Sequence, residues 1–216
     1  MKQIAGNQLW ASLRYAFYVA VRPLDGFWDL IHEKRGSLGA AHIIVVAAIV
    51  VEILTVTLTN IQFSNWGLYM EYFNVSMVVL QVLVPLLLWT LSNWSLTTLM
   101  DGKGRFHEIY MATAYALTPS IIIKAVLILL SHLITRQEGT VYQVLAAFSL
   151  LWSGMLIMAA MMMIHDYSPA KMLFSSFLSI VGMGVIVFIF LIFFNMISDM
   201  IAYLISIVKE IRFRMG

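Results

Sequence analysis

Apolar residues in this chain gather into five long runs, with polar residues confined to the short stretches between them. The runs are Leu38–Asn60, Val75–Leu99, Met111–Leu133, Val141–Ile164 and Met172–Phe194. Each can cross hydrocarbon about 30 Å thick, which takes roughly 20 residues at the helical rise. Backbone groups in lipid must bond within their own segment, so each run predicts a helix and not a strand. The expected fold is all-α. It is a polytopic membrane protein of five transmembrane helices with amphipathic interfacial helices at its N-terminal and C-terminal ends.

The flanks carry a different pattern. Wound as a helix, Leu9, Trp10, Leu13, Ala16, Phe17 and Ala20 share one face, while Asn7, Gln8, Arg14, Tyr15 and Arg22 fall opposite. That arrangement predicts a helix lying in the membrane interface. Pro23 and Gly26 end it, and Phe27, Trp28 and Ile31 predict a second interfacial turn. The apolar stretch Tyr15–Val21 is too short for a signal peptide, and no cleavage pattern follows it. At the other end, one helix from Met172 to Val208 would run about 55 Å, too long for a single span. A bend is therefore expected at Asn195–Ser198. Beyond it an amphipathic helix would present Met196, Ile197, Met200, Ile201, Leu204 and Val208 on one face. The chain divides into an interfacial segment at 1–37, the five-helix domain at 38–194, and an amphipathic helix with a basic tail at 195–216.

Charge sets the topology. The N-terminal segment holds Lys2, Arg14, Arg22, Lys34 and Arg35, whereas the first loop, at 61–74, holds no Lys or Arg. Lys103 and Arg105, Arg136, and Lys171 follow in the later loops. The excess places the N-terminus in the cytoplasm, and five spans then place the C-terminus outside. Trp66, Tyr69, Tyr72 and Phe73 in the first outer loop, and Trp89 and Trp94 towards the inner end of the second span, read as interface anchors.

Composition narrows the function. With 62% hydrophobic and 11% charged residues there is no room for a separate soluble domain. A net charge of +2, scattered along the chain, argues against nucleic acid as a partner. The absence of cysteine excludes disulfides, thiolate chemistry and cysteine metal sites. His42, His107, His132 and His165 fall at different depths or on different sides, so neither a metal nor another cofactor is expected. No nucleophile, histidine and carboxylate share a depth, and no enzyme is expected. His165, Asp166 and Tyr167 read as a helix-end cap and polar turn.

Ionisable residues inside spans are costly and mark either a function or a specific partner. Glu52 lies about 21 Å into the first span by helical rise. Lys124 in the third span and Gln81 in the second fall in the same layer, with Ser149, Ser153, Gly182 and Gly184 nearby. Two readings stay open: a buried pair that fixes helix register, or the lining of a hydrated cavity for a polar headgroup or ion.

The stretch from Met100 to Pro119 carries a resemblance. Gly102, Gly104, Phe106 and Glu108 form a Gly-x-Gly-x-Phe-x-Glu loop that leads into Ala114-Tyr115-Ala116 and Pro119. With Arg22-Pro-Leu-Asp-Gly-Phe27 and the five-span plan, this resembles the Yip1-domain integral membrane proteins, bacterial type. Physically, the two glycines allow positive φ and close backbone approach, Glu108 suits a helix start, and Pro119 predicts a kink. Gly-Lys-Gly lacks the spacing of a nucleotide loop.

The resemblance implies a non-enzymatic protein of the bacterial cell membrane that acts in membrane organisation or as an accessory subunit of a membrane complex. Its implied partners are membrane lipids and a membrane protein or a second copy. Eukaryotic members associate with Rab-type GTPases and carry an N-terminal extension and an Asp-Leu-Tyr-Gly-Pro motif that this chain lacks, so GTPase binding is not carried over. The alternative is a small transporter or lipid scramblase using Glu52, Gln81 and Lys124.

Overall fold

The computed structural model describes residues 2–63 and 74–215. They form helices α1 (Lys2–Val21), α2 (Pro23–His32), α3 (Leu38–Leu58), α4 (Val75–Leu99), α5 (Phe106–Ala116), α6 (Thr118–Leu133), α7 (Gly139–His165) and α8 (Pro169–Met215), with a short 3-10 turn at Arg136–Glu138. Among the described residues, five helical stretches are long and apolar enough to cross a membrane: α3, α4, α5 with α6, α7 and α8. The protein is the all-α polytopic membrane protein that the apolar runs predict. Trp66, Tyr69, Tyr72 and Phe73 lie outside the described residues. The side bearing the α2–α3 link and the α4–α5 and α7–α8 connections is termed proximal, the opposite side distal.

The third span starts at Phe106, earlier than its apolar run, because Glu108 Oε2 accepts from Arg105 N at 2.9 Å and caps α5. It is broken in mid-membrane, as Pro119 predicts. Leu117 leaves the helical ladder and Pro119 sits in the first turn of α6, where a missing N–H costs nothing. Around the short α5, the longer helices form a ring in the order α3, α4, α8, α7, α6. α5 packs on α3, α4 and α7 and fills the proximal half of the ring. Ile109, Ala112, Ala114, Tyr115 and Ala116 are buried there against Leu156, Ala160 and Met161 of α7.

α1 and α2 form a helical hairpin on the flank of this bundle. Val19 of α1 approaches so closely that a Cβ at Gly26 would lie 2.8 Å from its Cα. The expected apolar face of α1 is divided: Ala16 and Ala20 are buried, together with Val19 beside that face, whereas Trp10 and Phe17 point away from the bundle. Tyr15, expected on the polar face, turns inward and donates to Asp29 Oδ2 at 2.9 Å. The hairpin reaches half-way along the spans, where Trp152 at the middle of α7 donates from Nε1 to Ala20 O at 3.2 Å.

The bend expected at Asn195–Ser198 is not there. α8 is a single helix of 47 residues, about 70 Å by its rise. From Val185 to Met215 it contains neither glycine nor proline. Asn195 and Ser198 lower helix propensity by only tenths of a kcal/mol each. Its buried residues, Ser175, Ser176 and Ser179, form one small-residue patch against α4. Small residues at that spacing let two backbones approach closely.

Candidate functional site

The bundle holds two polar constellations, one in each half. In the distal half a cavity of about 480 Å³ lies within the ring of helices, and α3 to α8 all contribute to its wall. Glu52, Gln81 and Lys124, the three residues singled out by depth, all line it. Lys124 Nζ donates to Glu52 Oε2 at 2.5 Å, with the two side chains 35% and 16% exposed. Gln81 is exposed and does not join the pair. Ser153 also lines the cavity; Ser149 instead donates to Ser120 Oγ at 3.2 Å, Gly182 packs on Ser92 and Leu96, and Gly184 meets open space.

Most of the wall is apolar, including Ile121, Leu150, Ile157, Ile180 and Met183. Trp89 belongs to it as well. It is 9% exposed and therefore not an interface anchor, for it lies ten residues from the proximal end of α4 and in the middle of the membrane. Trp94, half-exposed nearer that end, packs edge-on against Phe106 with centroids 6.0 Å apart. Pro85, also on the cavity wall, has no N–H to give the carbonyl of Gln81 one turn earlier.

The proximal half is closed by a directional hydrogen-bond chain. Gly104 N donates to His165 Nδ1 at 3.2 Å, so the imidazole proton sits on Nε2, which donates to Asn93 Oδ1 at 3.0 Å. Asn93 Nδ2 donates to Ser179 Oγ at 3.1 Å, and that hydroxyl donates to Ser175 O at 2.8 Å. Ser92 Oγ adds a bond to Ser179 O at 2.6 Å. The chain runs from the α4–α5 loop through α7 and α4 to α8, and its side chains are buried.

The motif residues build the same region. Neither Gly102 nor Gly104 has positive φ; Asp101 (φ 56°) turns the chain instead. Close approach is what the two glycines supply. A Cβ at Gly102 would lie 2.6 Å from Thr97 Cβ and 2.8 Å from His165 Nδ1, and one at Gly104 would collide with Ile164 and His165. Tyr115 is fully buried; its hydroxyl donates to Ser12 O at 3.3 Å and accepts from Ser37 N at 3.5 Å, joining α1, the α2–α3 link and α5.

His165 does end its helix, and the cap follows at Asp166 (φ 57°). The His165 ring turns to Gly104 and Asn93 and not to Asp166. Asp166 instead pairs with Lys103 at 2.9 Å, and that ammonium holds its carboxyl below the usual carboxylate range. Tyr167 donates to Met100 O at 3.1 Å; burial pushes its hydroxyl up, with a smaller push from Asp101.

These features define a multi-pass α-helical membrane protein whose Gly-x-Gly loop is packed beneath a buried histidine. The Yip1 domain matches residues 17–203, and the chain belongs to that family. No curated protein and no solved structure matches it.

Proposed function

We propose that this Yip1-family chain is a non-enzymatic organiser of the membrane that occupies one leaflet more fully than the other. The observation that carries this reading is the α1–α2 hairpin. It reaches only as far as Trp152 at mid-span, and it turns Trp10, Phe17, Val21, Leu24 and Trp28 away from the bundle as exposed apolar side chains. Apolar surface at that depth inserts among the acyl chains of one leaflet and spreads it. The loop charges support a cytoplasmic N-terminus and an outer C-terminus, and the resemblance of the chain's compact form to the bacterial members of the family supports a bacterial cell membrane as the setting. On that topology the hairpin sits in the inner leaflet. The exposed flank of the bundle also suits an accessory role beside another membrane protein or a second copy.

The test is the diameter of proteoliposomes at matched protein density, imaged by electron cryomicroscopy. Wild type is compared with Trp10→Gln/Phe17→Gln/Val21→Gln, which leaves the buried face of α1 intact. Smaller vesicles with wild type than with the triple variant support the reading; equal diameters sink it.

A second reading, a small transporter or lipid scramblase using Glu52, Gln81 and Lys124, is supported by the cavity those residues line.

A further inference from the structure

The cavity carries an unusual excess of unused hydrogen-bonding groups. Trp89 Nε1 and Ser153 Oγ are buried, 9% and 6% exposed as residues, and have no partner among the described residues. Both residues line the cavity. A buried polar group left unpaired costs about 1–3 kcal/mol, and such groups are rare in native interiors. Lys124 has three N–H donors and gives one to Glu52. The amide of Gln81 adds two more. Among the described residues Glu52 makes no hydrogen bond besides the one through Oε2, and Pro85 leaves the main-chain carbonyl of Gln81 without its helical N–H.

The rest of the wall is apolar, and the cavity opens on the bundle surface, since Gln81, Pro85, Leu150 and Ile180 are exposed although they line it. A site with clustered donors, one carboxylate, apolar walls and an open flank fits an amphiphile with an acceptor-rich head. Its volume lies within the range of about 300–1,000 Å³ usual for small-molecule sites.

We propose that this cavity binds a single phospholipid, its phosphate held by Lys124, Trp89 and Ser153, an ammonium or hydroxyl of the head held by Glu52, and its tails along the apolar wall. The proposal rests on the cavity and is independent of the membrane-shaping reading, which concerns α1 and α2. It requires no passage across the membrane.

The full chain in detergent is titrated with phosphatidylethanolamine, with diacylglycerol, and with glycerophosphoethanolamine, the same head without tails. Bound stoichiometry is read by native mass spectrometry. One phosphatidylethanolamine per chain is expected, held about tenfold more tightly than diacylglycerol, with no retention of the free head. Trp89→Phe/Ser153→Ala removes both donors while keeping an aromatic wall, and is expected to lose about tenfold in affinity, since two hydrogen bonds of about 0.7 kcal/mol each amount to that factor. Ser176→Ala removes a buried, unpartnered hydroxyl away from the cavity and serves as control; it is expected to bind as wild type. Thermal unfolding of each variant establishes that it is folded. Equal affinity for diacylglycerol, equal retention by the double variant, or tight binding of the free head would each overturn the proposal. Those results would leave, respectively, an unselective apolar groove, a cavity filled by water, or a site for a soluble phosphate compound.

Discussion

His165, the last residue of α7, donates from Nε2 to Oδ1 of Asn93 across 3.0 Å, tying the end of one span to the interior of another. Asn93 passes the link to Ser179 of α8, so one amide side chain joins three spans. Asn93→Leu strands the Nε2–H of His165 in the interior and is expected to cost about 1–3 kcal/mol. Asn93→Leu/His165→Leu should lose less than the sum of the two single changes, with a coupling of about 0.5–3 kcal/mol. Unfolding in mixed micelles measures all three; strictly additive losses would show that the chain of bonds does not act as a unit.

The glycines separate close approach from flexibility. Gly104→Ala pushes a methyl into Ile164 and the His165 ring, and Gly102→Ala meets Thr97 and the same ring. Each is expected to destabilise by about 1–3 kcal/mol, the cost of overpacking. Gly184→Ala meets nothing and should be neutral or stabilising by up to about 1 kcal/mol, because alanine is the better helix former. Midpoints of thermal unfolding rank the three, and equal effects at Gly104 and Gly184 would refute the packing account.

Glu52 and Lys124 test a different cost. Removing either partner leaves the other in an apolar layer, whereas removing both leaves neither. Glu52→Leu and Lys124→Leu are each expected to destabilise by about 1–3 kcal/mol, less than the roughly 3–5 kcal/mol of a fully buried pair because Lys124 is about a third exposed. Glu52→Leu/Lys124→Leu should recover most of that loss. A double variant less stable than either single one would mean that the charges act independently.

Asp166 provides a pH-dependent contact outside the spans. Its carboxyl is held below the unfolded value of about 3.9 by Lys103. A depressed carboxylate pKa contributes stability that is fully present above the unfolded value and is lost as pH falls through the folded one. Both side chains are largely exposed, so the effect on the whole protein is small. Carbon-detected NMR titration should find the Asp166 midpoint below about 3.9 in wild type and shifted upward in Lys103→Met. An unchanged midpoint in the variant would assign the depression to another cause.

Much of this architecture is legible in the sequence because lipid imposes a length rule. Five apolar runs gave the spans, Pro119 the break between α5 and α6, and the depths of Glu52, Gln81 and Lys124 placed all three on one cavity. The remainder depends on facing directions. Asn93 and His165 sit near span ends, where polar residues are ordinary, and only packing turns them towards each other. Trp89 passes for an interface anchor until its rotation on α4 points it inward, and in α1 the face covered by the bundle splits Ala16 from Phe17. The bend expected in α8 rested on total length alone; local propensity offers no breaker there, and local propensity prevailed.

The unbroken α8 has one more consequence. A rod without a joint answers a change in bilayer thickness by leaning, and hydrophobic mismatch favours such a lean by fractions of a kcal/mol per Å. Its hold on the bundle is the serine patch at Ser175–Ser179 with Gly182 against α4. Ile180 and Met183, beside that pivot, are part of the cavity wall. A lean of the rod would carry these two wall residues with it.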